Sequence, residues 1–518
     1  MSLKTEVYAL LEGAGRICEG CPEADSLAQT VQKLRRRLES PLRVAVVGIM
    51  KAGKSTFMNA LMGEDILYTG DLETTYTVCW FRYGSTPSLT VCFRDGEEQR
   101  FPFEDLQKWS VRKYEAENPR INDVKYLIIH YPAEVLKTLE FIDTPGLNSV
   151  YGTDAKNTLD FLSIKGSEDT LQEAGKADAI IYAFSRTASG FDQDILRSFH
   201  SGGTESTSPI NSVGIMTKVD ASGIWNVLDD TTPVQAARAV TDNVMKNAGM
   251  KQLLFTVLPV CAKVCEGYAQ MEDRDWAAME TIAANGLEDL QDCLYDAREF
   301  SRSEDFSDFG TTESRRRLMG LIGQYGILEV ARQLQSGKTR EEIGQELQQI
   351  CGVQPVRELL IRHFGSRTFL IKTQYILNHL MTVTRQLMRE NGTPEQVKRI
   401  CGQISDSIED MMSSVQPMKE LKALQMYYNG QLVFLDGGEE EDFLRVTGEY
   451  GRAAESRLGA PQGSTVAELA EIARRKVGAW HEKAATGWMM PGEYVEAASI
   501  LARSYEQMYF HLKALCEE

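Results

Sequence analysis

The sequence has no run of apolar residues long enough to cross a membrane, and its N-terminal region lacks the charged and apolar segments of a signal peptide. Its 518 residues carry a net charge of −18, whereas a general nucleic-acid binder has a basic footprint. Only six histidines are present, and they suggest no cluster of ligands. These absences predict a cytoplasmic protein, at most peripheral on the inner face of the cell membrane, with no nucleic-acid partner.

Disulfide and zinc frameworks are also missing. Ten cysteines are scattered along the chain, which is typical of a protein from a reducing cytosol. Cys18 and Cys21 form one C-x-x-C pair, but a tetrahedral zinc site needs a second pair of ligands and no obvious one follows. We therefore favour free thiols over a metal site.

The chain is long enough for two or three folding units. Seven apolar runs predict strands, in the order "LRVAVVG", "YTVCWFRYG", "SLTVCF", "YLIIHY", "LEFID", "ADAIIYAF" and "SVGIMT". The continuous runs alternate with helical segments, as in parallel sheets covered by helices on both faces. The predicted fold is an α/β domain with a mostly parallel sheet.

Helical patterns dominate after about residue 266. The segment "CGVQPVRELLIRHF", residues 351–364, has the pattern of a turn and an amphipathic helix that packs back on the sheet. We therefore interpret 267–350 as a helical insertion within a domain that spans 41–366. Residues 1–40 are predicted to be a helical segment that packs with the stalk, and 367–518 an extended all-α stalk or bundle.

An apolar stripe in this last region repeats about every seven residues: Val397, Ile400, Ile404, Ile408, Met411 and Val415. The favoured interpretation is the core of an intramolecular bundle, and the alternative is a seam between subunits. Two charge runs, the acidic loop 436–442 and Arg315 to Arg317, are expected to be solvated.

A phosphate-binding loop is predicted after the first strand. Gly48-x4-Gly53-Lys54-Ser55 fits the pattern G-x-x-x-x-G-K-[ST] between a strand and a helix. Backbone amides in such a loop surround phosphates at a helix N-terminus, the lysine reaches the β and γ phosphates, and the hydroxyl binds Mg²⁺. The predicted nucleotide-binding residues here are Gly48, Met50, Lys51, Ala52, Gly53, Lys54, Ser55 and Thr56.

Two further segments supply groups for the metal and the γ phosphate. "FIDTPG" places Asp143 at the end of a buried strand, where it can hold Mg²⁺ through water, and Gly146 can offer its amide to the γ phosphate. In "DLETTYTV", Thr75 is the preferred ligand for Mg²⁺ and the γ phosphate, with Thr74 as the alternative.

A guanine-recognition motif follows in the expected order. In "TKVD", residues 217–220, the Asp220 carboxylate can accept hydrogen bonds from the ring N–H and the exocyclic amine of guanine, and the Lys218 stem can lie over the base. Thr217 belongs to the same motif, and Ala262 and Lys263 are candidates for the last loop that contacts the base. The combination predicts an α/β P-loop GTPase domain and selects GTP over ATP.

These motifs together resemble those of the dynamin superfamily of large GTPases, particularly the bacterial dynamin-like proteins. The resemblance depends on "KAGKST", "LETTYT", "DTPGLNS", the preceding helix and the helical tail, and its motifs cover roughly 42–265. It implies an enzyme that converts GTP and water to GDP and phosphate, and that forms homodimers or larger homo-oligomers through its nucleotide face. It also implies hydrolysis that accelerates on assembly, and helical parts that move to remodel or tether membranes.

The sequence departs from dynamins, or from small GTPases, at two positions. Lys51 replaces the serine that helps hold a monovalent cation in eukaryotic dynamins, so its ammonium is a candidate to stabilise charge on the β–γ bridge. A solvent-facing lysine is the alternative. Leu147 follows Gly146, so the water-orienting glutamine of small GTPases is absent, as it is in dynamins. Slow basal hydrolysis that is stimulated by dimerisation is expected.

The membrane role has one candidate contact, the turn that contains Trp488, Met489 and Met490. A buried cap of the helical bundle is the favoured alternative to a lipid-inserting tip. The leading functional hypothesis is a self-assembling, Mg²⁺-dependent GTPase that acts on membranes. A GTP-gated scaffold that docks a protein partner is the alternative.

Overall fold

A computed structural model describes residues 3–49, 51–64, 66–67, 77–111, 114, 116–144, 177–185, 193, 196, 209–221, 223–428, 430–451, 453–486 and 490–517. Within these ranges, nine strands form one sheet: β1 Leu42–Gly48, β2 Val78–Tyr83, β3 Ser88–Phe93, β4 Glu98–Phe101, β5 Val124–Tyr131, β6 Leu139–Asp143, β7 Ala179–Phe184, β8 Ser212–Met216 and β9 Thr256–Pro259. Their spatial order is β4-β3-β5-β2-β6-β1-β7-β8-β9.

The central part of the sheet is parallel. β1 pairs with β6 and β7, and β8 joins β7 to β9, all in parallel, whereas β3 pairs antiparallel with β4 and β5 and β2 pairs antiparallel with β6. The seven apolar runs form strands as predicted. The mostly parallel sheet with helices, followed by a helical C-terminal region, confirms the predicted fold class.

Twenty-one α-helices lie in the described ranges. The first fourteen are α1 Leu3–Cys18, α2 Asp25–Glu39, α3 Lys54–Met62, α4 Leu106–Ser110, α5 Pro233–Lys246, α6 Ala248–Lys251, α7 Ala262–Ala269, α8 Asp273–Ala283, α9 Leu287–Leu294, α10 Ala297–Arg302, α11 Thr312–Leu321, α12 Gly323–Gln335, α13 Arg340–Ile350 and α14 Val353–Leu360. The remainder are α15 Ser366–Arg389, α16 Glu395–Ser414, α17 Gln416–Tyr428, α18 Gly437–Val446, α19 Ala454–Leu458, α20 Val466–Thr486 and α21 Gly492–Glu517.

Helices α1, α2, α15 and α16 form a four-helix bundle. The predicted stripe of α16 lies in its core, where Val397, Ile404 and Ile408 are almost fully buried. This burial supports the interpretation of the stripe as intramolecular core. A turn of π-helix, Ile361–Gly365, joins α14 to α15, so one nearly continuous helical path leads from the sheet into the bundle.

The bundle is joined to the sheet by a buried polar network. The Arg37 guanidinium of α2 donates to Asp178 before β7, with 2.6 Å between Nη2 and Oδ1. The Lys372 ammonium of α15 donates to Arg37 O at 2.7 Å and to Ser40 Oγ at 2.9 Å. Burial lowers the pKa of Lys372 to about 8. These contacts fix α15 against the connection between α2 and β1.

Arg315 corrects one sequence expectation, because its side chain is fully buried rather than solvated. Its guanidinium donates to Phe300 O at 2.8 Å and Gly310 O at 2.7 Å, and also to the carbonyls of Ser303 and Phe306. Five donors in a planar fork suit such a convergence of carbonyls. Arg315 therefore anchors the turns between α10 and α11.

The acidic loop 436–442 is also not a solvated turn. It begins α18, where Asp436 Oδ1 caps the helix by accepting from the amides of Gly438 at 2.8 Å and Glu439 at 2.9 Å. Glu439 is buried and accepts hydrogen bonds from Tyr494 Oη at 3.0 Å and from Lys483. Negative charge near the N-terminus of a helix interacts favourably with the helix dipole, so these carboxylates stabilise the start of α18.

Cys18 and Cys21 are both buried with free thiols, and burial together with Cys21 raises the pKa of Cys18. Among the described side chains, no group of three or more His, Cys, Asp or Glu residues is arranged to hold a metal ion. Within the same ranges, no helix combines the length and apolar composition that crossing a bilayer requires.

Candidate functional site

The phosphate loop connects β1 to α3 through a backbone that glycine permits. Gly48 ends β1 so close to β7 that a Cβ there would lie 2.2 Å from Ala183 O. Gly53 has φ +77° and precedes α3, while Lys51 has φ +62°, which is uncommon for a residue with a side chain. The loop therefore turns tightly and delivers the chain to the N-terminus of α3, as the sequence pattern predicts.

Lys54 is the first residue of α3 and its side chain is only 7% exposed. Its ammonium lies within the loop and donates to Gly48 O at 3.2 Å and Ile49 O at 3.3 Å. A lysine held in this way has its charge at the centre of the loop, where phosphate oxygens would approach the backbone amides.

Asp143 ends β6 next to the loop and is fully buried. Ser55 Oγ donates to its Oδ2 at 3.5 Å, while its Oδ1 has no hydrogen-bond partner in the described part of the chain. Burial raises the pKa of Asp143 to about 7, and Lys54 opposes that rise. A buried carboxylate oxygen without a partner, beside a serine hydroxyl, fits the donor set of a divalent cation.

Thr217 brings the guanine motif to the phosphate loop, although 165 residues separate it from Ala52. Its hydroxyl Oγ1 lies 2.6 Å from Ala52 O and 3.2 Å from Phe184 O, and its side chain is only 2% exposed. A Cβ on Gly53 would lie 3.4 Å from the same hydroxyl. The two motifs therefore form one continuous site at the carboxyl ends of parallel strands.

Lysines concentrate on the other side of this motif. Lys218 has φ +56°, and its pKa is lowered by burial, by Lys51 and by Lys263, while Asp220 opposes this effect. These three ammonium groups and the Asp220 carboxylate therefore lie in one region. Ala262 is buried at the start of α7, and Lys263 beside it is exposed.

Several predicted site residues lie outside the described part of the chain. They are Met50, Thr74, Thr75, Gly146 and the neighbouring Leu147, together with Trp488 and Met489 of the candidate membrane turn. Met490, the third residue of that predicted turn, packs against the core with part of its side chain exposed. Thr56, in the first turn of α3, is partly buried.

Two polar residues that support α3, the helix after the phosphate loop, were not predicted. Asn59 of α3 is buried and its amide donates to Leu67 O and Glu266 Oε1, both at 2.7 Å, which ties the chain after α3 to α7. Arg357 of α14 donates to Leu61 O at 2.7 Å, at the end of α3. A polar residue among the apolar residues of "TFMNALMG" was the available indication for Asn59.

A phosphate loop joined to a guanine motif in this manner, with a buried aspartate ending the strand beside it, is the organisation of a P-loop GTPase. Residues 44–218, which include all three features, match the model of the dynamin family. The chain is therefore a GTPase whose residues 44–218 are a dynamin-type domain, similar in sequence to those of bacterial dynamin-like proteins.

Sequence similarity to known proteins also extends beyond residues 44–218. The isoniazid-induced protein IniC of Mycobacterium tuberculosis is 24% identical over 493 residues, which are 94% of this chain and 94% of that protein. The bacterial dynamin-like protein of Nostoc punctiforme is 37% identical over 126 residues, 23% of this chain and 18% of that protein. A solved structure of an oligomerised bacterial dynamin pair is 12% identical, with a TM-score of 0.33, over 98% of this chain and 90% of that one.

Proposed function

We propose that this GTPase binds Mg²⁺ with GTP between the phosphate loop and Asp143, and that assembly of the chain stimulates hydrolysis and moves the helical region. The observation that carries the nucleotide part is the contact of Thr217 Oγ1 with Ala52 O at 2.6 Å, since it joins the predicted phosphate and guanine contacts. The domain division that accompanies it is 1–40, 41–366 with an insertion at 267–350, and 367–518.

The metal would be held by Ser55 and, through water, by Asp143, with Thr75 as the predicted third group. Support comes from the unpartnered Oδ1 of Asp143 and from the 3.5 Å between its Oδ2 and Ser55 Oγ. When bound, Mg²⁺ neutralises phosphate charge during phosphoryl transfer. Lys54 contributes a fixed positive charge in the loop, and Gly146 an amide to the γ phosphate.

Lys51 is proposed to supply a second catalytic charge. Support comes from its position in the loop at φ +62° and from its electrostatic effect on Lys218 of the guanine motif. Lys51→Ala should lower turnover much more than GTP affinity, while Lys51→Arg, which keeps the charge, should retain more of the turnover. Unchanged turnover in Lys51→Ala, or potassium-dependent turnover in the wild type, would reject this role.

Arg357 offers a physical route from the nucleotide to the bundle. It caps α3, which begins at the phosphate loop, and it belongs to α14, which continues through the π turn into α15. A shift of α3 with nucleotide state would therefore act directly on the start of the bundle helix. This contact supports the proposed coupling between hydrolysis and movement.

The membrane role rests on family membership, and one experiment tests it together with assembly. GTPase rate is measured against protein concentration, with and without anionic liposomes. A rate per molecule that rises with concentration supports assembly-stimulated hydrolysis, and co-sedimentation with liposomes supports membrane remodelling or tethering. Full-speed turnover at high dilution would contradict the first part. Failure to co-sediment, with and without a non-hydrolysable GTP analogue, would favour the GTP-gated scaffold.

A further inference from the structure

The helical segment between α7 and α14 reaches the predicted guanine-reading carboxylate. Gly323 begins α12 with φ +67° and is buried. A Cβ built on it would lie 3.7 Å from Asp220 Oδ2, which among the described residues outside its own helix and chain neighbours is the one atom within 4 Å of it. Gly323, at the start of α12, therefore faces Asp220 at close range.

The same junction, residues 321–326, packs closely against α7, which follows the other predicted base-contacting loop. A Cβ on Gly267 would lie 2.0 Å from Leu321 O, so the backbones of α7 and α11 are in direct contact. A Cβ on Gly326 would lie 3.3 Å from Val264 Cγ1. The junction thus contacts both segments that the sequence assigns to the base.

Packing around the junction fixes its position. The Tyr325 ring lies edge-on to Trp225, with 5.3 Å between centroids, and Trp225 Nε1 donates to Thr231 O at 2.8 Å in the loop after the guanine motif. Tyr325 is 2% exposed. Gln291 Nε2 of α9 donates to Val227 O of the same loop at 2.5 Å. The contact between Tyr325 and Trp225 thus joins the junction to that loop, and Gln291 joins the same loop to α9.

We propose that the α11–α12 junction is a wall of the guanine pocket, and that Gly323 is a specificity-determining residue because it leaves both carboxylate oxygens of Asp220 available to the base. This inference rests on the proposed role of Asp220 in reading guanine. Guanine needs both oxygens, one for the ring N–H and one for the exocyclic amine. Hypoxanthine has no exocyclic amine and uses one.

A side chain at Gly323 should therefore act on guanine selectively. Gly323→Asn tolerates the left-handed backbone, and its amide can donate to Asp220 Oδ2 in competition with the base. GDP affinity should fall roughly tenfold, the effect of one charge-assisted hydrogen bond, while IDP affinity falls less. The ratio of GDP to IDP affinity should then decrease towards one, which a merely structural role would not cause.

The matched control is Gly337→Asn, two residues after α12 ends, where φ is +77° and a Cβ would meet no other described residue within 4 Å apart from its chain neighbours. Binding of fluorescent GDP, with unlabelled GDP and IDP as competitors, is measured on intact chains whose folding is checked by thermal unfolding. Gly323→Ala, whose methyl group would only touch the Asp220 carboxylate, should lower the ratio of GDP to IDP affinity by less than Gly323→Asn does. If the asparagine variant does not fold, the alanine variant provides the test.

The outcomes separate this inference from the proposed function. If the wild type binds GDP and both Gly323 variants keep the wild-type ratio of GDP to IDP affinity, the junction is not a wall of the guanine pocket, while the proposed recognition of guanine by Asp220 is unaffected. If Gly337→Asn lowers the ratio as much as Gly323→Asn, the effect is general to α12 and the inference is overturned. Failure of the wild type to prefer GDP over IDP would instead remove Asp220 as the guanine reader.

Discussion

Thr217→Val isolates the hydrogen bond that joins the guanine motif to the phosphate loop. Valine has nearly the same shape as threonine, so the buried site keeps its packing and loses only the hydroxyl, which lies 2.6 Å from Ala52 O. A buried carbonyl that loses its donor costs about 1–3 kcal/mol. Because that carbonyl belongs to the phosphate loop, we expect much of the cost to appear as weaker nucleotide binding.

A loss of about 1.4 kcal/mol corresponds to tenfold in affinity, so GDP and GTP should both bind roughly tenfold more weakly to Thr217→Val. Titration calorimetry on the intact chain measures this effect, and thermal unfolding without nucleotide measures the part of the cost that lowers stability. The GTP and GDP affinities should fall together because the contact supports the whole loop.

The control is Thr241→Val in α5, which removes a buried hydroxyl that bonds to Arg238 O at 2.9 Å within its own helix. It should alter stability slightly and leave nucleotide affinity unchanged. If Thr217→Val loses stability but binds GDP as tightly as the wild type, then the contact between the motifs does not support the site and the reasoning is refuted.

Two further predictions concern the connection to the helical region. Arg357→Ala removes the donor to Leu61 O, so assembly-stimulated turnover should fall towards the basal rate while GDP affinity stays unchanged. Arg362→Ala, at an exposed neighbouring position, is the control and should retain the stimulation. Equal stimulation in both variants would contradict the coupling. Because the pKa of Lys372 is about 8, below that of an unfolded lysine, the unfolded state binds more protons above about pH 8 and the free energy of unfolding should rise with pH there. Relative to Lys372→Met, this gain should reach about 2 kcal/mol between about pH 7.5 and about pH 9.5 in denaturant titrations, and a constant difference would refute it.

Most strands could be predicted because continuous apolar runs are specific to buried strands of five to eight residues. The two strands that were not predicted lie at the sheet edges. In β4, Glu98–Phe101 has no fully buried residue, and β9, Thr256–Pro259, is only half buried, so neither shows the pattern. A short edge strand is defined by the partner it pairs with, which local sequence does not contain.

Charged runs were the weakest basis for prediction. Arg315 is the first of three consecutive arginines, and local sequence favours a solvated helix start, yet carbonyls from four separate positions converge on it. Glu439 in the acidic run is likewise buried against residues from α20 and α21. Solvation was wrong in both cases because the compensating groups lie outside the charged run, in the turns that precede α11 for Arg315 and in α20 and α21 for Glu439.

The phosphate and guanine motifs could be located from sequence because their chemistry demands fixed residue types at fixed spacings. Their mutual contact through Thr217, the cap that Arg357 provides for α3, and the approach of Gly323 to Asp220 could not, since each joins segments more than 100 residues apart. Thr75 and Gly146 lie outside the described residues, so their roles stay predictions.

Calorimetric titration of the intact chain and of Asp220→Asn with GDP, ADP and xanthosine diphosphate tests most directly whether these motifs form one guanine-nucleotide site. The wild type should bind GDP and discriminate against ADP. In Asp220→Asn the preference should move to xanthosine diphosphate, because the asparagine amide can donate to the exocyclic oxygen that replaces the guanine amine. Equal affinity of the wild type for ADP and GDP, or an unchanged preference in the variant, would contradict the assignment.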